Sequence, residues 1–301
     1  MGRIMKFIVF ASAVFLFSTG VFAAETIKLR LISPIYVDGK GSGIKQPEGV
    51  GCSGSTLVIV ADTGNGRLLR YTVTGDTLTP DGEIALPQLP YPIRVQVDSR
   101  GGIFALDGKL RRIVRVAANG EFLGYMNITG AAQGTVVPRS FKIDRNDNIY
   151  ILDIFSGRIL VVNPSGTLQK EIPFPKKYVF FSDLAVDAGG SIFLIDSVGR
   201  RVYTVPKNSD GVTPLSDSLK EEVNFPTSIA LDGRGNIYVS DQNGSGVVIL
   251  GLDGSFRGRQ LRMGWKDGYL RYPSQICIDD SGNVFIADRG NNRVEVFAIV
   301  Q

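Results

Sequence analysis

The sequence predicts an all-β protein in which one small antiparallel sheet occurs six times and the copies close into a ring. Three observations predict it. A turn aspartate recurs at Asp62, Asp107, Asp153, Asp196, Asp241 and Asp288. Nine residues before each lies Ser53, Asp98, Asp144, Asp187, Asp232 or Asp279, and that spacing never varies although the stretches between copies do. The residues around these marks are short alternating runs of Val, Ile and Phe broken by Gly and Asn, which is the pattern of half-buried strands and tight turns. A rigid unit with elastic linkers, repeated at this period, is what a radial array of sheets requires.

The chain opens with a segment of a different kind. Met1–Lys6 is short and basic, Phe7–Phe17 is apolar, and small residues lead to Ala23. This is the pattern of an export signal cleaved after Ala23, and it is shorter than the roughly 20 apolar residues that span a bilayer. The expected divisions are a signal peptide over 1–23 and a single ring-shaped domain over 24–301. Residues 24 onward then carry 31 basic and 29 acidic side chains, because Arg3 and Lys6 leave with the signal. Such interspersed, near-neutral charge argues against a nucleic-acid partner. No integral membrane segment is expected after cleavage, and the expected location is periplasmic or secreted, in a bacterium, as a monomer.

The last copy shows the unit most clearly. Ser274–Ile278, Val284–Ala287 and Arg293–Phe297 read as three strands, joined by turns at 279–283 and 288–292. The six copies run over about 45–73, 90–116, 136–162, 180–205, 225–250 and 272–297. A fourth, outer strand for each of the first five copies is expected at Gly82–Leu86, Glu121–Asn127, Thr167–Ile172, Lys220–Val223 and Ser255–Leu261. The sixth copy ends with the chain, and Thr26–Ile32 has no copy of its own. Its addition to the last sheet would remove the edges that a linear array leaves open.

Five residues after each turn aspartate stands Arg67, Arg112, Arg158, Arg201 or Arg293, with Gly246 in the fifth copy. Guanidinium and carboxylate at this spacing can pair across one turn. Because the pattern recurs, Asp62–Arg67, Asp107–Arg112, Asp153–Arg158, Asp196–Arg201 and Asp288–Arg293 are expected to act as structural turn clamps rather than as ligand-binding arginines.

The segments Ile286–Phe297 (IADRGNNRVEVF) and Val60–Tyr71 (VADTGNGRLLRY), with the first strands Leu184–Asp187, Ile229–Asp232 and Ile276–Asp279, resemble the NHL-repeat family. The resemblance covers essentially residues 25–301 and implies a six-bladed β-propeller. It says less about function, since such propellers include binding modules, sensor domains, RNA-binding domains and one lyase class.

The chain has no histidine. The zinc-holding histidines of the NHL-like peptide-amidating lyases therefore have no counterpart, and Ser-His-Asp, Cys-His and c-type haem sites are excluded. What remains is carboxylate chemistry or hard-cation binding. Related lactonase-type propellers hold calcium near the central channel, where this chain should place Glu48, Arg94, Arg139 and Asp183. Calcium takes about six to eight oxygen ligands with net negative charge. The mixed charges of this ring point instead to a solvated channel mouth with no metal ligands and no cofactor, calcium being the one ion to consider.

The connections that lead into each copy carry the aromatics. Tyr91, Phe225 and Tyr272 precede a proline and are expected to wedge between blades. Trp265, Tyr269, Arg271 and Tyr178 are the candidate partner contacts, because Trp, Tyr and Arg dominate protein interfaces. Cys52 and Cys277 lie on the first strands of copies one and six, which neighbour each other in a closed ring. A disulfide there and two free buried thiols are both compatible with the sequence. The function expected is an exported, non-enzymatic scaffold that binds a protein, a peptide or an envelope component. The alternative is a divalent-cation-dependent hydrolase or lyase of the lactonase-like kind, working at the channel mouth.

Overall fold

The computed structural model describes residues 27–54, 56–130 and 135–300, and the expected export signal lies outside them. Six four-stranded antiparallel sheets stand in a ring. Blade 1 is built from Gly49–Ser53, Leu57–Asp62, Arg67–Thr74 and Thr77–Ile84. Blade 2 is Pro92–Val97, Ile103–Asp107, Arg112–Val116 and Phe122–Tyr125. Blade 3 is Pro138–Ile143, Ile149–Asp153, Arg158–Val162 and Leu168–Pro173. Blade 4 is Phe181–Val186, Ile192–Asp196, Arg201–Val205 and Thr213–Pro214. Blade 5 is Pro226–Leu231, Asn236–Asp241, Gly246–Gly251 and Phe256–Gln260. Blade 6 is Pro273–Ile278, Asn283–Asp288 and Arg293–Val300, with Lys28–Ile35 paired antiparallel to its third strand.

The core is six apolar layers, one between each pair of neighbouring blades. Val95, Val97 and Ile103 of blade 2 face Ile59, Ala61 and Leu68 of blade 1, for example. Phe285 and Val294 of blade 6 meet Val58, Val60 and Leu69 of blade 1. The alternation seen in the sequence explains this, since successive side chains of a strand point to opposite faces and each blade packs on both sides.

Each turn aspartate ends a second strand and is buried. Its carboxylate accepts the backbone N–H of the connection arriving 16 or 17 residues earlier: Lys45 for Asp62, Tyr91 for Asp107, Val137 for Asp153, Val179 and Phe180 for Asp196, Asn224 and Phe225 for Asp241, and Arg271 for Asp288. The repeat is therefore a staple between a turn and the incoming connection, and it puts both on one face of the ring. Four residues past each aspartate the backbone is left-handed, at Gly66, Arg111, Gly157, Arg200, Ser245 and Asn292.

The arginine clamp forms in three copies, with Arg67, Arg158 and Arg293 each pairing with its aspartate. It does not form in two. Asp107 spends its oxygens on the backbone N–H groups of Tyr91, Lys109 and Leu110, and Asp196 on those of Val179, Phe180, Val198 and Gly199. A carboxylate with its lone pairs already filled by short turns has little to offer a guanidinium. In blade 5 the cation comes from elsewhere. Arg259 of the outer strand reaches Asp241 at 2.9 Å, and a Cβ on Gly246 would stand 2.8 Å from the Arg259 guanidinium. Arg259→Ala should cost about 1–3 kcal/mol in urea unfolding by leaving Asp241 without its cation. Adding Gly246→Arg to that variant should recover part of the loss; no loss in the single variant would refute the exchange.

Two outer strands differ from expectation. In blade 1 the strand starts earlier, at Thr77, because Gly75 in a left-handed conformation makes a tight hairpin. In blade 4 the outer strand is Thr213–Pro214 and not Lys220–Val223. Pro214 has no N–H to continue the ladder. Leu219 and Val223 instead sit on one turn, closed by the Val223 N–H to Leu219 carbonyl bond, and both bury in the layer between blades 4 and 5. Among the described residues no helix is long and apolar enough to cross a membrane.

Candidate functional site

The inner strands begin on the face that carries the connections, so their first residues meet around the axis. Arg94 does not line an open mouth. It is 5 % exposed, and its guanidinium crosses the axis to the carbonyls of Glu48 in blade 1 and Thr227 in blade 5, each at 3.3 Å, and to Ser274 Oγ of blade 6 at 3.4 Å. Asp183 is 4 % exposed and accepts from Ser140 Oγ of blade 3 at 2.5 Å, and from Ser228 Oγ and the Ile229 N–H of blade 5 at 2.6 and 3.1 Å. Gln275 Oε1 accepts the N–H groups of Val50 and Val95 in blades 1 and 2. These groups stitch the inner strands together, which corrects the expectation of a solvated polar ring at Arg94 and Asp183. Buried hydrogen-bonding groups that find each other across strands give the ring its register.

Glu48 lies at the rim, half-buried, 3.3 Å from the Arg289 guanidinium and 3.4 Å from the Tyr91 hydroxyl. Arg139 stacks on the Phe180 ring at 5.4 Å and makes no hydrogen bond or ion pair with any described residue. Burial, then the charge of Arg94, pull its pKa down to about 10. Burial also lowers Lys142 on the same inner strand, with Asp183 opposing. Three cations therefore face two carboxylates already engaged, and these residues do not make a calcium cage. Among the described residues, no three His, Cys, Asp or Glu side chains are grouped to hold a metal ion.

The partner candidates fall in two places. Trp265, Tyr269 and Arg271 share the connection into blade 6. Trp265 is 80 % exposed; Tyr269 is held by Arg262, whose guanidinium lies 4.9 Å over its ring. Tyr178 is far from them, on the connection into blade 4. It stacks on Phe181 at 4.9 Å and packs against Phe174, while its neighbour Val179 is the exposed residue. Of the three aromatics before proline, Tyr91 and Phe225 are half-buried, but Tyr272 is exposed and takes a left-handed φ.

The clamp of the last copy anchors the Trp265 connection. Arg293 is buried and donates to the carbonyls of Lys266 and Tyr269 and to Asp267, each at 2.8 Å. Glu295, also buried, pairs with Arg293 at 2.8 Å and accepts the Gly268 N–H at 3.1 Å. Burial pushes the Glu295 carboxyl up to about 7 against the pull of Arg293. Glu295 escaped sequence reasoning because its partners lie on a separate connection.

The face carries further exposed apolar side chains that sequence reasoning missed. Leu110, Phe155 and Val198 sit at the tips of the turns of blades 2, 3 and 4, just past their aspartates, and Val179 is exposed on the connection into blade 4. Comparing the six turns position by position would have found them. Two cavities, about 290 and 330 Å³, lie off the axis; the first borders Arg111, Arg112 and Tyr125, the second Asp38 and Glu83.

The NHL repeat profile matches residues 270–297. No curated protein matches the chain in sequence. Among solved structures the chain is similar to a streptogramin B lyase, at 13 % identity and a TM-score of 0.63, covering 91 % of this chain and 98 % of that one. It is similar to a catalytically inactive histidine-to-alanine variant of virginiamycin B lyase from Staphylococcus aureus with quinupristin, at 12 % identity and a TM-score of 0.60, covering 91 % and 99 %. A gluconolactonase from Xanthomonas campestris shares 12 % identity with a TM-score of 0.65 over 90 % and 97 %. Likeness at these identities is a likeness of fold.

Proposed function

We propose that this six-bladed propeller is a non-enzymatic binding module, exported, that captures a protein or peptide on the face carrying its connections. The observation that supports this reading is the exposure of large apolar side chains on that face: Trp265 at 80 %, Phe155 at 69 % and Val179 at 60 %, on turns and connections stapled to a rigid ring. Rigid scaffolds with variable exposed loops are the usual setting for recognition. Asp183 is occupied in holding blades together and Glu48 pairs with Arg289, so among the described axial residues no carboxylate is left free to act as acid or base on a substrate. The lyase variant described as inactive lacks a histidine, and this chain has none at any position.

A pull-down from an envelope fraction tests the reading. Trp265→Ala with Tyr269→Ala should reduce partner capture by at least tenfold while circular dichroism stays unchanged. Stoichiometric calcium on protein purified without chelator, with lactone or ester turnover that depends on it, would overturn the reading in favour of the enzyme.

A further inference from the structure

The outer strand of each blade faces its third strand at a fixed register position, two residues past the clamp position. That position holds Glu83 in blade 1 and Glu171 in blade 3, opposite Leu69 and Leu160. Both glutamates pair with the clamp arginine of their blade, Arg67 and Arg158. In blade 2 the same position, opposite Val114, is Tyr125. Its clamp arginine, Arg112, lies 5.1 Å over the Tyr125 ring and has no carboxylate partner among the described residues. The blade has exchanged an acid for an aromatic face and left a guanidinium oriented and unpaired.

Beside it stands Arg111, at the left-handed position that blades 1, 3 and 6 fill with Gly or Asn, blade 4 with Arg200 and blade 5 with Ser245. A long side chain there is costly, since its Cβ crowds the following carbonyl. Arg111 too has no acid partner among the described residues. The two arginines edge the cavity of about 290 Å³ between blades 2 and 3, whose floor includes Ile113, Ile128 and Ile151. The surplus of positive charge continues inward. Arg139, on the inner strand of blade 3, has a buried Nε without a partner and feels the charges of both Arg94 and Arg111.

We propose that this cavity binds a carboxylate carried on an apolar group, the carboxylate at Arg111 and Arg112 and the apolar group against the isoleucines. Guanidinium forks match a carboxylate in plane, and a cavity of this size, near the lower end for small-molecule sites, takes one compact apolar group. The same chemistry is offered by the C-terminal residue of a peptide and by a small aliphatic acid. The inference rests on the binding reading above and supplies that partner's anchor.

The test is calorimetric titration of the full chain with N-acetyl-glycyl-leucine as free acid, the same peptide as C-terminal amide, hexanoate and inorganic phosphate. The expected result is saturable binding of the acids, at least tenfold tighter than the amide and than phosphate. A peptide acid tighter than hexanoate identifies a chain terminus as the source, and the reverse identifies a free acid. Tyr125→Glu, which copies blades 1 and 3, should pair Arg112 and lower affinity at least tenfold. Arg111→Gly should do the same while its thermal midpoint stays equal or rises. Equal affinity for acid and amide, phosphate binding as tight as the acids, or full affinity in both variants overturns the site. Partner capture that persists undiminished in Tyr125→Glu also overturns it as the anchor, yet leaves the binding module intact, because that reading is tested separately at Trp265.

Discussion

Opening the bond between Cys52 and Cys277 is expected to lower the free energy of unfolding by about 5 kcal/mol. The two sulfurs are bonded in the structure, with the Cα atoms 6.1 Å apart and a sequence separation of 225. A cross-link closing so long a loop removes a large part of the unfolded chain's freedom, and the chain-entropy relation gives about 5 kcal/mol for this length. The bond joins the inner strands of blades 1 and 6, the first and last along the chain, within an apolar layer that holds Val50 and Phe285. The peptide chain also links these two blades, running from Ile35 in blade 6 to Gly49 in blade 1. Urea unfolding of the oxidised protein and of the Cys52→Ala, Cys277→Ala variant measures the difference. Mass spectrometry of the unreduced protein must show the bond; two free thiols, or equal midpoints, would refute the lock.

Removing residues through Ile35 is expected to have an effect of similar size, confined at first to blade 6. Lys28–Ile35 pairs with Arg293–Val300 from Lys28 opposite Val300 to Ile35 opposite Val294. Ile27 and Ile35 are buried, and Leu29, Leu31 and Ile32 pack on the layers to either side. At about 1.5–3 kcal/mol for each fully buried aliphatic side chain, the two buried isoleucines alone contribute about 3–6 kcal/mol. The deletion would also bare the ladder edge of the third strand, a template for association with another chain. Hydrogen exchange should show the amides of Arg293–Val300 losing protection before those of blades 2 to 4, and sedimentation should detect self-association. Protection equal to that of the full chain would show that the strand is dispensable.

Both effects bear on the proposed binding face. Blade 6 presents Trp265, and Arg293 and Glu295 on its third strand hold that connection in place. A loosened blade 6 would therefore weaken the proposed partner capture without altering Trp265 itself. Its loss would resemble that of Trp265→Ala, and only the exchange data separate the two.

The sequence by itself determined the repeat, the class of fold and the three inner strands of each blade. Alternation, turn residues and the fixed nine-residue spacing are local, and each copy repeats them, so six weak signals add to one strong one. It determined equally what the chemistry cannot be, because a chain without histidine is so however it folds. Tertiary structure alone decided which groups meet. Arg259 replaces the arginine missing at Gly246 from another strand of the same blade. Arg94 is spent on blades across the axis and Asp183 on its neighbours. Arg112 meets Tyr125 instead of an acid because an outer strand, weakly patterned and half in solvent, sets the facing residue. Lys220–Val223 reads as a strand by composition, yet the ladder stops at Pro214 and the segment turns inward. A side chain's partner on another strand or blade is fixed by register and ring geometry, and those depend on every connection at once.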